Sequence, residues 1–415
     1  MRVLNLFAFV AFFMQLPIEF VWSILIAYGW APDKWEGIAV VKVILLISMI
    51  SFSFRHIFNL ELSAKKYFIR VGVLLLLITM LSIWFVRSVP SEDNDGRSLF
   101  RFYFELIFLY FYLFFIGVCI PNIRSYVGCI RVNAFLYLLM VLTLLLIVDY
   151  SVFRIDLLGI VNSKYESMYL FWADSFALIA LFVLAGSRNI WFSRLVIVSG
   201  LLALYFISSR TSLFVFFFSV FYFLYIKRMH VDIVSFVLIF ALMLLMYFVE
   251  NDVSSVLGSR MFGFFFGVGD SSLSSRAFMF ADGFVSIVNH PIKGQFAGQV
   301  ISFGSVGFYI HNILSYWRQY GLLVFLMLLW NLLPLLRLIA RGAVCRDSGG
   351  SMRFGEQLVL LIRLLGVYTI VSLLVARAFN YPYIYLVMGL YVRYLGSRAS
   401  SVLTNVIGGR ANDRV

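Results

Sequence analysis

An all-α integral membrane protein, polytopic and built from about twelve transmembrane helices, is the fold class this sequence predicts. Three observations predict it. Hydrophobic residues fill 63% of the 415 positions and charged residues only 13%, and the mean hydropathy is +0.98. A soluble domain carries about 25% charged residues and 45–50% apolar ones, so a chain this apolar cannot cover a water-facing surface. The apolar residues also gather into windows near the length of about 20 that spans hydrocarbon. Finally, the lysines and arginines between those windows segregate to one side of the inferred bilayer.

The windows centre near residues 6–28, 38–54, 71–86, 103–120, 133–149, 169–185 and 195–208, then 211–226, 232–249, 313–336, 358–376 and 381–397. The first continues from Leu4 to about Tyr28 and reads as a span rather than a cleaved signal peptide. With the N-terminus in the cytoplasm, about 19 basic residues fall on the inner side and about 11 on the outer. Lys227-Arg228 inside contrasts with Glu92-Asp93-Asn94-Asp95 outside, and Lys42, Arg318 and Arg363 lie within spans. An even number of helices returns residues 398–415 to the cytoplasm as a tail, and residues 1–415 form a single transmembrane domain.

The formal net charge of +13 is therefore a topological bias, and no nucleic-acid partner is expected. Cys119, Cys129 and Cys345 have no metal-binding spacing, so neither a disulfide framework nor a zinc site is expected. Residues 250–312 break the pattern of short connections and form a large outer loop. It carries Phe262, Phe264, Phe265, Phe266, Phe278, Phe280 and Phe284, with a helix-like stretch from Ser275 to Asn289. Short amphipathic helices lying on the outer membrane surface over a cavity fit that composition.

Polar residues in and around this loop are the candidates for chemistry. Ser208-Ser209-Arg210-Thr211-Ser212 marks an outer hairpin between two apolar helices. The loop then runs through Ser274-Ser275-Arg276, Asn289-His290-Pro291-Ile292-Lys293-Gly294 and His311-Asn312-Ile313-Leu314, and the next span carries Arg318-Gln319-Tyr320-Gly321. At helical spacing His311 and Arg318 share a face. Asp174, an acid inside an apolar helix, is a candidate partner for one of the span arginines. His290, before Pro291, reads as part of a turn.

Over residues 195–335 this order of an outer arginine, a long loop, Pro-x-x-Gly and His-Asn-x-x-Leu resembles the O-antigen polymerase and O-antigen ligase superfamily of bacterial membrane glycosyltransferases. Gly294-Gln295-Phe296-Ala297-Gly298 departs from the tighter Gly-x-Gly common there, and Phe280 stands near a usual tryptophan. The resemblance implies a GT-C-like protein of the bacterial inner membrane with its site facing the periplasm. Its substrates would be polyprenyl-diphosphate-linked oligosaccharides, as both donor and acceptor, with a chain-length regulator as a further partner. Transfer would be inverting and metal-independent, with no cofactor. The resemblance makes His311 the base and Arg276 and Arg210 the catalytic cations, because arginine grips phosphate oxygens through a planar fork and histidine titrates in a useful range. Arg318, Lys293, Arg260, Asn312 and His290 are candidates for binding diphosphate or sugar. Polymerase is favoured. A ligase delivering glycan to the lipid A core, or a flippase for the same lipid-linked sugar, remains open; against the flippase, no internal repeat is visible.

Overall fold

The computed structural model describes residues 2–31, 36–57, 61–94, 96, 98–119, 126–150, 154–155, 160, 168–187, 189–229, 231–234, 236–237, 271–341 and 354–396. It is mostly helical, as the composition requires. In order come α1 (Arg2–Phe13), a π-helical turn (Met14–Ile18), α2 (Glu19–Ala27), α3 (Glu36–Ile57), α4 (Leu62–Phe85) and α5 (Leu99–Cys119). Then follow α6 (Tyr126–Ile147), α7 (Tyr169–Gly186), α8 (Ile190–Phe206) and α9 (Arg210–Ile226). Beyond these lie α10 (Ser271–Asn289), α11 (Gly298–Phe303), α12 (Leu314–Ala340), α13 (Phe354–Val375) and a last helix α14 over 383–396. Two-residue strands Val148–Asp149 and Arg154–Ile155 pair antiparallel between α6 and α7.

Among the described residues, six helical segments are long and apolar enough to cross a membrane: Leu6–Ala27, Leu62–Ser88, Leu99–Cys119, Tyr169–Gly186, Leu314–Ala340 and Glu356–Val375. Four shorter apolar helices accompany them, Ile38–Ser51, Arg131–Ile147, Ile190–Phe206 and Arg210–Ile226. Each predicted window meets a helix; of 232–249, residues 232–234 and 236–237 are helical and the rest lie outside the described residues.

The exposed faces identify the solvent. On α4, Ile69, Val73, Leu76, Met80 and Ile83 stand exposed at helical spacing, and on α12 Leu323, Leu326, Trp330 and Leu333 do the same. Leaving such side chains in water forfeits about 1.5–3 kcal/mol each, whereas hydrocarbon accepts them. This is a membrane protein. Burial ranks the helices: 83% of the best window of α7 is enclosed, against 28% for α4 and 33% for α12. α7 and α13 therefore form the middle of the bundle, packed on α9, while α4 and α12 face outward.

α10 is turned inside out relative to a helix in water. Phe278, Phe284, Val285 and Val288 are exposed, while Met279, Ser286 and Ile287 are buried and Arg276 and Asp282 half-buried. A helix presenting phenylalanine outward and its charges inward suits an apolar surrounding and brings its polar groups to α12, against which it packs.

Candidate functional site

The N-terminal ends of α7, α9 and α12 and the C-terminal end of α13 meet at one end of the bundle. Their side chains make the junction. Asp174, in the second turn of α7, accepts through Oδ1 from Ser212 Oγ of α9 (2.9 Å), Tyr368 OH of α13 (2.8 Å) and Arg377 Nη2 just beyond α13 (2.9 Å). Arg377 Nη2 also donates to Ser212 Oγ at 2.9 Å, and Ser209 Oγ donates to the same hydroxyl at 2.9 Å. Thus the Ser208–Ser212 turn, which adopts a left-handed backbone at Ser208 (φ 59°), is tied to the core by Asp174 and Arg377. Arg210 is the first residue of α9 in that turn and is half-buried.

His311 joins this group from the segment preceding α12. It is half-buried, hydrogen-bonds to the backbone of Ala376, and lies within electrostatic range of Arg276 and Arg377. The Tyr309 ring stands with its centroid 4.9 Å from that of His311, and the Tyr309 hydroxyl accepts from Asn380 Nδ2 at 3.3 Å. Burial, then Arg276, then Arg377 push the imidazole down to about 4, against the smaller opposing pull of Ala376. At neutral pH the ring is uncharged. An imidazole N–H given to the Ala376 carbonyl leaves the other nitrogen with a lone pair, the form a proton acceptor needs.

Arg318 is placed differently from its expected position. The helical phase does not reach back to His311, because α12 starts only at Leu314 and Asn312, ahead of it, closes a turn instead, its Oδ1 accepting from Leu314 N at 2.9 Å. His311 and Arg318 therefore do not share a helical face. Arg318 is 2% exposed and pairs with Asp282 of α10 at 2.8 Å, not with Asp174. Its Nε and Nη1 have no hydrogen-bond partner among the described residues.

A backbone lock sets its depth. α12 breaks at Gly321 (φ 81°), and the Pro291–Gly294 turn fills the break: Leu322 N donates to Ile292 O (3.1 Å), Gln295 N to Arg318 O (2.6 Å), and Trp317 Nε1 to Pro291 O (2.7 Å). A Cβ at Gly321 would lie 2.2 Å from Ile292 O, and one at Gly294 2.5 Å from Gly321 N. Only glycine permits that approach.

His290 and Lys293 belong to this turn and stand apart from His311. They line a cleft of about 180 Å³ with Phe85, Ser88, Val89, Gly294, Gln295, Phe296 and Ile301. A second, apolar cavity of about 300 Å³ lies between α10 and α12, lined by Phe284, Ile287, Val288, Pro291, Leu314 and Trp317. Arg260 and the Phe262–Phe266 stretch lie outside the described residues. The sequence contains one Asp-x-Asp string, Asp93-Asn94-Asp95. Asn94 N there donates to Gly304 O at 2.7 Å, and no group of three metal-ligating side chains occurs among the described residues.

The chain matches no protein-family model and no curated protein sequence. The site therefore has to be judged on its own chemistry. Among the described residues, two arginine–aspartate pairs, Arg377–Asp174 and Arg318–Asp282, stand at this end of the bundle, with Arg276 within electrostatic range of His311 and Arg210 on the turn tied to Asp174 and Arg377. Three helix N-termini add partial positive charge there, offset in part by the C-terminal end of α13. Such a field holds anions, and a neutral histidine in it can accept a proton. Sequence reasoning missed Arg377 and Asp282. An arginine just beyond a span was the available signal for the first; no spacing rule links Asp282 to Arg318, 36 residues away.

Proposed function

We propose that this protein is an O-antigen polymerase, joining oligosaccharide repeat units carried on polyprenyl diphosphate. On this reading twelve helices span the inner membrane, both termini are cytoplasmic, and the His311 end faces the periplasm. The observation that carries the proposal is the position of His311, hydrogen-bonded to the backbone of Ala376, within electrostatic range of Arg276 and Arg377, and joined through Arg377 to the turn bearing Arg210.

The acceptor hydroxyl attacks the anomeric carbon of the donor sugar from the face opposite the diphosphate. The glycosidic C–O bond to the diphosphate breaks as the new C–O bond forms, and the configuration inverts. The free imidazole nitrogen of His311 takes the hydroxyl proton. Arg276 and Arg210 hold the diphosphate and stabilise the charge it gains on departure. Donor binding has a second effect. A diphosphate seated on the arginines offsets the positive charge that keeps His311 weakly basic, so the histidine becomes a stronger base only when the donor is in place.

The test is reconstitution in proteoliposomes with polyprenyl-diphosphate-linked repeat units and EDTA. The wild type should extend the glycan and His311→Ala should not. No extension by the wild type, or transfer only to added lipid A core, would overturn the polymerase reading.

A further inference from the structure

Arg377 has no task in this mechanism beyond its charge, yet it is buried and anchored on two helices. Its side chain and that of Asp174 are 10% and 5% exposed. Its Nη2 gives both protons away, to Asp174 of α7 and Ser212 of α9, each at 2.9 Å. Asp174 in turn gathers donors from α9, α13 and the segment after α13 on one oxygen. Three elements are thus pinned at one point. The peptide carbonyl adjoining that point, Ala376, is the group bonded to the imidazole of His311. Here α13 ends, with both Ala376 N and Arg377 N donating to Ser372 O at 3.0 and 2.8 Å.

We infer that Asp174, Ser212 and Arg377 form the positioning device for His311, holding the Ala376 carbonyl where it orients the imidazole and leaves the second nitrogen to the acceptor hydroxyl. The inference rests on the proposed role of His311 as the base. Arg377 is a positioning residue in this account, acting through His311. A backbone acceptor fixes which ring nitrogen carries the proton, and a carbonyl at the end of a helix holds its place only if that end is held. Charge separates this role from simple support. Among the described residues, the charged and titratable groups that bear on His311 are Arg276 on α10, Arg377 beyond α13 with Asp174 of α7 and Tyr368 of α13 behind it, and Tyr309 on its own segment, with Arg210 on the α9 turn that Arg377 holds. Removing Arg377 deletes a cation and uncovers Asp174, and both changes favour a protonated imidazole. Neutralising Asp174 leaves Arg377 unbalanced and disfavours it.

The experiment measures acylation of His311 by diethylpyrocarbonate across pH in the full-length protein, with the His311 peptide quantified by mass spectrometry. Neutral imidazole reacts, so the midpoint follows the charge of the ring. Wild type should give a midpoint near 4. Arg377→Ala should move it upward, towards the free-histidine value of about 6.5, while Asp174→Asn should leave it in place or lower it. Equal upward shifts in both variants would mean that each merely loosens the fold, and no shift in either would mean that the cluster does not act on His311; either overturns the proposal.

Turnover supplies the second arm. Arg377→Ala should lower kcat about 10- to 100-fold with little change in donor KM, Arg377→Lys should recover part of it, and adding Arg377→Ala to His311→Ala should cost nothing further. A raised KM with unchanged kcat would make Arg377 a donor-binding group and sink the positioning role. Should the wild type transfer no glycan at all, the proposed function fails while the acylation measurement still decides the positioning claim.

Discussion

His311 is half-buried within range of two arginines, and both features hold its imidazole below the ordinary histidine range. Burial is the larger cause and the charges of Arg276 and Arg377 follow, so a further positive charge there is costly. A base must be unprotonated to work, so activity is full above the free-enzyme value and falls as pH drops through it. The acid limb of kcat/KM should therefore lie near 4, and a limb at the ordinary histidine range of about 6.5 would contradict the arrangement around His311. Asp282 offers a stability test at the same scale. Asp282→Asn leaves the guanidinium of Arg318 buried without its counter-charge, at a cost of about 2–3 kcal/mol, reduced from a fully buried pair because Asp282 is 32% exposed. Thermal unfolding in detergent would read this as a lowered Tm. Arg210, Arg276 and His311 could be singled out in the chain because they stand in short polar strings that carry the family resemblance. The ion pairs were not legible, since Asp174–Arg377 and Asp282–Arg318 join residues 203 and 36 apart and nothing in helical periodicity couples them.

Elements show the same division. Helix positions followed from apolar windows because hydrocarbon demands continuous runs of apolar residues with every backbone group bonded internally. Breaks within helices did not follow. The chain satisfies the opened backbone of α12 at Gly321 with the Pro291–Gly294 turn rather than with water, the arrangement tolerated in a membrane where protein covers the irregular backbone. Gly321→Ala should destabilise by about 2–4 kcal/mol, since it forces a side chain onto a left-handed backbone and against Ile292 O. Reduced Tm with activity lost in parallel is the expected result; an unchanged Tm would show that the turn does not hold the break. The Ser275–Asn289 stretch was recognisable as a helix, but its outward phenylalanines became meaningful only once α12 was seen packed on its polar side.

For the whole molecule, lipid-facing stripes on α4 and α12 and an enclosed α7 and α13 describe a bundle with a buried polar cluster of Asp174, Ser212, Tyr368 and Arg377 at the end that carries His311. That cluster gives the proposed function its physical basis. An apolar body confines a lipid carrier to the plane of the bilayer, and a cationic end with a neutral base meets the diphosphate at the head of that carrier. The most direct measurement deletes the gene in its host and complements it with wild type, Arg276→Ala and Arg210→Ala, with the lipopolysaccharide separated on a silver-stained gel. The account predicts that deletion and both variants leave core with a single repeat unit, while wild type restores the full ladder. An unchanged ladder in the deletion strain would contradict it, and bare core with long glycan accumulating on the carrier would assign the protein to ligation instead.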